Sequence, residues 1–108
     1  MAQDFERNIF RQLTTSAQAL RTADSDDALV GINIANTTSS QILVDVFIEV
    51  SSNNYYLVKE APIPAGSALQ LLDGGAKVVM QSGDVLKAQS DTATSADVWV
   101  SVVDSIST

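Results

Sequence analysis

A chain of 108 residues with 45% apolar side chains has material for one domain and one hydrophobic core. Its 13 acidic residues outnumber 6 basic ones, for a net charge of −7. Counterion release therefore cannot draw it onto nucleic acid, and an anionic membrane repels it. Without cysteine or histidine it has no disulfide, no thiolate or imidazole metal ligand, no thiol nucleophile and no imidazole base. The opening MAQDFERNIF has early acids and no apolar leader core. No apolar run approaches the ~20 residues of a membrane helix. The expectation is a protein made in a cytoplasm, not exported by this route, with neither nucleic acid nor membrane as partner.

The first 27 residues admit two readings. Phe5, Ile9, Leu13 and Ala17 are spaced by four, with Phe10 offset by one, which predicts an apolar stripe on a short helix near residues 3–13. QLTTSAQALRTA instead alternates roughly and carries paired threonines, which suits strands. The segment 1–14 is therefore expected as a short helix or an extended arm, with the chain entering a sheet near residue 15. DSDD (24–27) reads as a surface turn.

From residue 28 the period is two. ALVGINIAN places Val30, Ile32 and Ile34 inward. QILVDVFIEV places Ile42, Val44, Val46, Ile48 and Val50 on one face and Gln41, Leu43, Asp45, Phe47 and Glu49 on the other. NTTSS between the two runs is turn chemistry, and together they predict a hairpin. NYYLVKEA (54–61) sets Tyr55, Leu57 and Lys59 opposite Tyr56, Val58 and Glu60. PIPAGS then turns, with Pro64 fixing one φ and Gly66 supplying a positive one. ALQLL (68–72) and AKVVM (76–80) flank DGG, a tight-turn signal, and are expected to pair. QSGD, VLKAQS and DTATS lead to ADVWVSVVDSI (96–106), with Val98, Val100, Val102 and Ile106 on one side. Turn signals recur every ~8–12 residues, which predicts one all-β domain over 1–108: an antiparallel β-sandwich or small barrel of about seven to nine strands.

Chemistry-bearing patterns are weak throughout. Asp24, Asp26 and Asp27 cluster but lack the spacing and glycine of a calcium loop, so they read as a solvated acidic turn. A serine nucleophile has no histidine, and Lys59, Lys77 and Lys87 sit in strand patterns without a motif. PAGS, DGGA and QSGD are turns, with no phosphate-cradling spacing. No catalytic residue, no metal and no cofactor is expected.

The aromatic residues are the informative ones. Tyr55 and Tyr56 are adjacent and face opposite ways in a strand. Trp99 lies opposite Val98, Val100 and Val102, and Phe47 shares its face with Asp45 and Glu49. Strands that are apolar on both faces are covered twice or form an interface. Three covers stand open: the N-terminal segment within the same chain, a second subunit, or a sugar ring. Phe47, Tyr55, Tyr56 and Trp99 are accordingly the candidate interface residues.

The run YYLVKEAPIPAGSALQLLDGGAKVVMQSGDVLKAQSDTATSADVWVSVVD (55–104), with VGINIANTTSSQILVDVFI and FERNIFRQLTTSAQAL before it, resembles small structural proteins of tailed bacteriophages of the marine and cyanobacterial type. The resemblance implies a non-enzymatic β-sandwich of the virion, assembled in the host cytoplasm, working as a homo-oligomer among other virion proteins. Capsid decoration, neck and tail accessory roles are all compatible with it. The competing expectation is a monomeric carbohydrate- or ligand-binding sandwich using Tyr55, Tyr56 or Trp99.

Overall fold

The computed structural model describes residues 4–72 and 78–104. Among the described residues the chain forms nine strands and no helix: β1 (Asp4–Leu13), β2 (Gln18–Thr22), β3 (Asp27–Asn36), β4 (Ile42–Val50), β5 (Asn53–Ile63), β6 (Ala68–Leu72), β7 (Val78–Met80), β8 (Val85–Ser90) and β9 (Ala96–Asp104). They make two antiparallel sheets packed as a β-sandwich. The front sheet runs β1-β9-β3-β6, with β7 also on β3, and the back sheet runs β2-β8-β4-β5.

The pairing is nested. β4 pairs β5, β3 pairs β6 and β7, β2 pairs β8, and β1 pairs β9. The chain is thus one long antiparallel ribbon whose tip is the β4–β5 turn. Rolling that ribbon lays β9 against β3 and β8 against β4. This strand order is that of a jelly roll.

The core follows from alternation. Ile42, Val44, Val46 and Ile48 of β4, Leu86 and Ala88 of β8, and Val98, Val100 and Val102 of β9 are all buried between the sheets. Val98, Val100 and Val102 were expected on one side; Ile106 lies outside the described residues.

Several local expectations are corrected. The N-terminal segment is a strand, not a helix. A spacing of four is even, so it fits a strand face as well as a helix stripe, and Phe5 and Ile9 share one face of β1. A bulge near Gln12, at φ 60°, then turns Leu13 into the core. The predicted hairpin of residues 28–50 does not form: β3 and β4 belong to different sheets, and NTTSS carries the chain across. The tight hairpin is β4–β5, closed by Ser51 and Ser52 at φ 51° and 70°, a positive-φ pair that sequence rules assign to Asn-Gly. Val30 is the extra residue of a bulge in β3, so Leu29, not Val30, joins Ile32 and Ile34 inside. In β5, a register shift at Leu57 returns Val58 to the same side as Tyr55, breaking the expected alternation, and a second shift follows between Val58 and Ala61. Finally, β6 and β7 do not pair each other; both pair β3.

The roll pivots on Asn36, buried at the end of β3. Its Nδ2 donates to the carbonyls of Ser40 (2.8 Å), Ile63 (2.9 Å) and Pro64 (3.2 Å). Its Oδ1 accepts from the Thr38 backbone N–H at 2.8 Å. One side chain thereby ties the exit of β3 to the approach of β4 and the end of β5. Replacing it removes a buried bond to the Ile63 carbonyl and two part-buried ones, and a buried acceptor left unpaired costs about 1–3 kcal/mol. Asn36→Ala is therefore expected to lower unfolding free energy by at least about 2 kcal/mol in urea titration; a loss within error would show that water replaces these bonds freely.

Candidate functional site

In an antiparallel pair, directly opposed residues share a face. Ile9 opposes Trp99, Arg7 opposes Ser101 and Phe5 opposes Val103. Across β9, Trp99 opposes Asn33 and Ser101 opposes Gly31, and Asn33 opposes Gln70 on β6. All of these lie on the outer face of the front sheet, because the alternate residues Val98, Val100 and Val102 fill the core.

That face is unusually apolar for a sheet surface. Phe5 is 84% exposed, Ile9 55% and Trp99 50%. Arg7 stacks its guanidinium 5.4 Å from the centre of the Trp99 ring, a cation–π contact that orients the indole. Two grooves flank the indole. One, of about 220 Å³, runs toward β1 and is lined by Ile9, Phe10, Arg11, Asp97 and Trp99. The other, of about 160 Å³, runs toward β3 and β6 and is lined by Gly31, Asn33, Gln70, Trp99 and Ser101.

The remaining sequence candidates sit elsewhere. Phe47 faces outward on the back sheet yet is only 4% exposed. Tyr56 covers it at 5.0 Å between ring centres, and Lys59 Nζ lies 4.8 Å over the tyrosine ring. The surface there belongs to Tyr56, not to Phe47. Tyr55 opposes Ile48 on the core side of β5 and is exposed. The structure does not bring Phe47, Tyr55 and Tyr56 together with Trp99. Among the described residues the N-terminal segment covers neither outer face; β1 widens the front sheet instead. Sequence reading missed Phe5, Ile9, Gly31, Asn33 and Gln70. The signal for Gly31 was present: a glycine at an outward position inside a strand that any β-branched residue would favour.

Behind this face sits a buried charge cluster. Arg21, its side chain 8% exposed, donates from Nε to Asp27 Oδ2 at 2.9 Å and from Nη1 to Glu6 at 2.9 Å and Asn8 at 3.1 Å; its Nη2 lies 3.6 Å from Asp104. Burial alone disfavours the guanidinium charge, but its bonds to Asp27 and Glu6 outweigh this and raise its pKa. Burial pushes the Asp27 carboxyl up, helped by its hydrogen bond to Asp104 and opposed by Arg21. The expected acidic turn is rearranged: Asp24 and Asp27 approach Asp104, with carboxylate oxygens within 4.8 Å of one another, while Asp26 stands apart from them. Arg21 pairs with Asp27 and approaches Asp104, so these two carboxylates read as part of a structural ion group.

Compared with protein-family models, curated proteins and solved structures, the chain matches none.

Two stability measurements check the cluster. Arg21→Met leaves Asp27 buried without its partner and is expected to cost about 3–5 kcal/mol. A cost below about 1 kcal/mol would show a solvated, dispensable pair. For Asp27, a raised folded pKa means that the fold favours the protonated form. Its contribution is fully present below the ordinary aspartate value and is lost as pH rises through the raised one. Asp27→Asn should therefore gain on the wild type as pH rises above the ordinary aspartate range of about pH 4 in paired urea titrations; a constant difference would contradict the assignment.

Proposed function

We propose that this protein is a non-enzymatic structural component of a larger assembly, acting in multiple copies that associate through the β1–β9 half of the front sheet. The observation that carries the reading is the placement of Phe5, Ile9 and Trp99 on one outer face of a sandwich whose interior is already filled. A sandwich has one core, so large apolar groups outside it need another cover.

A second copy of this chain is the cover that fits. The stripe Phe5, Arg7, Ile9, Arg11 alternates apolar and cationic groups on a molecule of net charge −7, so the rest of another copy presents the complementary sign. A standard interface takes about 800 Å² per partner, roughly a seventh of the 5807 Å² surface. Burying Phe5 and Ile9 contributes about 1.5–3 kcal/mol each. Closed symmetry is expected, since it consumes the patch on every copy. The resemblance to small virion proteins of tailed phages supports placing the assembly in such a particle. The jelly roll, an architecture used by viral capsid and lectin domains, supports it as analogy of fold alone.

Light scattering and native mass spectrometry at micromolar concentration test this. The wild type should be a discrete oligomer. Phe5→Ser with Ile9→Ser should yield a monomer whose circular dichroism remains β. A folded wild-type monomer at tens of micromolar would overturn the reading.

A further inference from the structure

The groove on the β3–β6 side of Trp99 has features that self-association through β1 does not use. Gly31 forms its floor. Nothing in the fold requires glycine there: its backbone is not in the left-handed region, and an added Cβ would meet Ser101 only at ordinary contact distance, 3.6 Å from Cβ and 3.7 Å from Oγ. Glycine weakens a strand interior, and where it persists it marks a bulge or a close approach by something else. Here the bulge is observed, for Gly31 directly follows the bulged Val30, and the open space above Gly31 leaves room for a close approach. Of the two pairings between interior strands, β3 with β9 is bulged and β8 with β4 is regular. Bulges beside sites re-aim side chains.

The walls are polar and available. The side chains of Asn33, Gln70 and Ser101 make no hydrogen bond within the protein among the described residues, and all three line the groove with the half-exposed indole. The groove lining carries neither a carboxylate nor a cation. The volume of about 160 Å³ suits a single ring and excludes a folded element.

From these features we infer that the Trp99–Gly31 groove is a binding site for a neutral sugar ring of an oligosaccharide. The apolar face of a pyranose packs on the indole, whose large surface rewards such contact. Its hydroxyls, each donor and acceptor, pair with the amides of Asn33 and Gln70 and the Ser101 hydroxyl. Neutral hydroxyls match the uncharged lining; the Arg7 guanidinium, opposite Ser101 and against the indole, adjoins the groove from β1. Trp99 and Ser101 lie on β9, which the proposed copy contact shares, whereas Gly31, Asn33 and Gln70 on β3 and β6 belong to the groove alone.

The chain has a single tryptophan, so intrinsic fluorescence reports on this groove directly. The full chain is titrated with neutral oligosaccharides (maltotriose, cellotriose and chitotriose), after a glycan array chooses among further neutral structures. A saturable fluorescence change is expected with at least one of them. Gly31→Val fills the floor with a strand-favouring side chain and should weaken binding by at least about tenfold, with circular dichroism and oligomer mass unchanged. Gln70→Ala should weaken it severalfold. Phe5→Ser with Ile9→Ser should leave sugar affinity per chain intact, even where it abolishes association. The inference fails if no neutral saccharide on the array or in titration binds the folded protein. It fails equally if only acidic glycans bind, or if Gly31→Val binds as well as the wild type.

Discussion

Arg21 holds β1 in place, and the candidate face exists because β1 is in place. Over most of its length β1 offers the sandwich no apolar inner surface. Its inward residues are Glu6 and Asn8, and apolar inner positions begin only with Phe10 and Leu13. What secures that stretch, besides the ladder to β9, is the guanidinium of Arg21 reaching from β2 in the other sheet. The same side chain binds Asp27 at the start of β3 and approaches Asp104 at the end of β9. A buried ion group of this kind adds little net stability over an apolar replacement of the whole set, yet losing one member is costly. Its effect is positional. With Glu6 and Asn8 committed to Arg21, Phe5, Arg7 and Ile9 are presented on the other side of β1, the side that Trp99 shares.

The rolled ribbon explains why a face, and not an edge, is available for association. Exposed edges are templates for unwanted pairing, and bulges are one way to blunt them. Four of the five edge strands carry an irregularity: β1 near Gln12, β2 between Ala19 and Arg21, β5 twice along its pairing with β4, and β6 beside Leu71; only the three-residue β7 pairs regularly. The ribbon also joins the chain's extremes, pairing Asp4 with Asp104. Such long-range pairing folds slowly and leaves edges open meanwhile. A strongly negative chain repels its own copies during that interval.

The inner face of this fold was legible in the sequence, and the connections were not. Period-two alternation marked Ile42 to Ile48 and Val98 to Val102 as core-facing, because burial on one side of a pleat imposes that period directly. Whether two neighbouring strands pair or cross between sheets depends on contacts far away in the chain. NTTSS looks the same in either case until Asn36 is seen bonding Ile63 and Pro64. Bulges were hidden for a similar reason. Val30 and Leu57 fit an alternating pattern on paper, and only the register of the partner strand shows that each is the extra residue. Of the candidate site, Trp99 was legible as an outward aromatic. Its neighbours came from β1, β3 and β6, and no local pattern connects those segments. Phe47 was assigned to the correct face, but its cover, Tyr56, follows from cross-strand register.

The two roles proposed for the front sheet meet at one indole and divide on either side of it. Toward β1 its surroundings are Ile9, Phe10 and the arginines, a surface that loses water favourably against another protein. Toward β3 they are a glycine floor and neutral polar groups, which suit a hydroxylated ligand. A single shallow groove holds one sugar ring weakly, since few atoms are buried and the contacts compete with water. Weak sites become effective when several are displayed at fixed spacing, because each binding event after the first is intramolecular. Self-association centred on Phe5 and Ile9 of β1 would provide that display where it leaves the Gly31 side of Trp99 open. The division of Trp99 between an apolar and a polar flank is the arrangement that a module with both proposed roles would need.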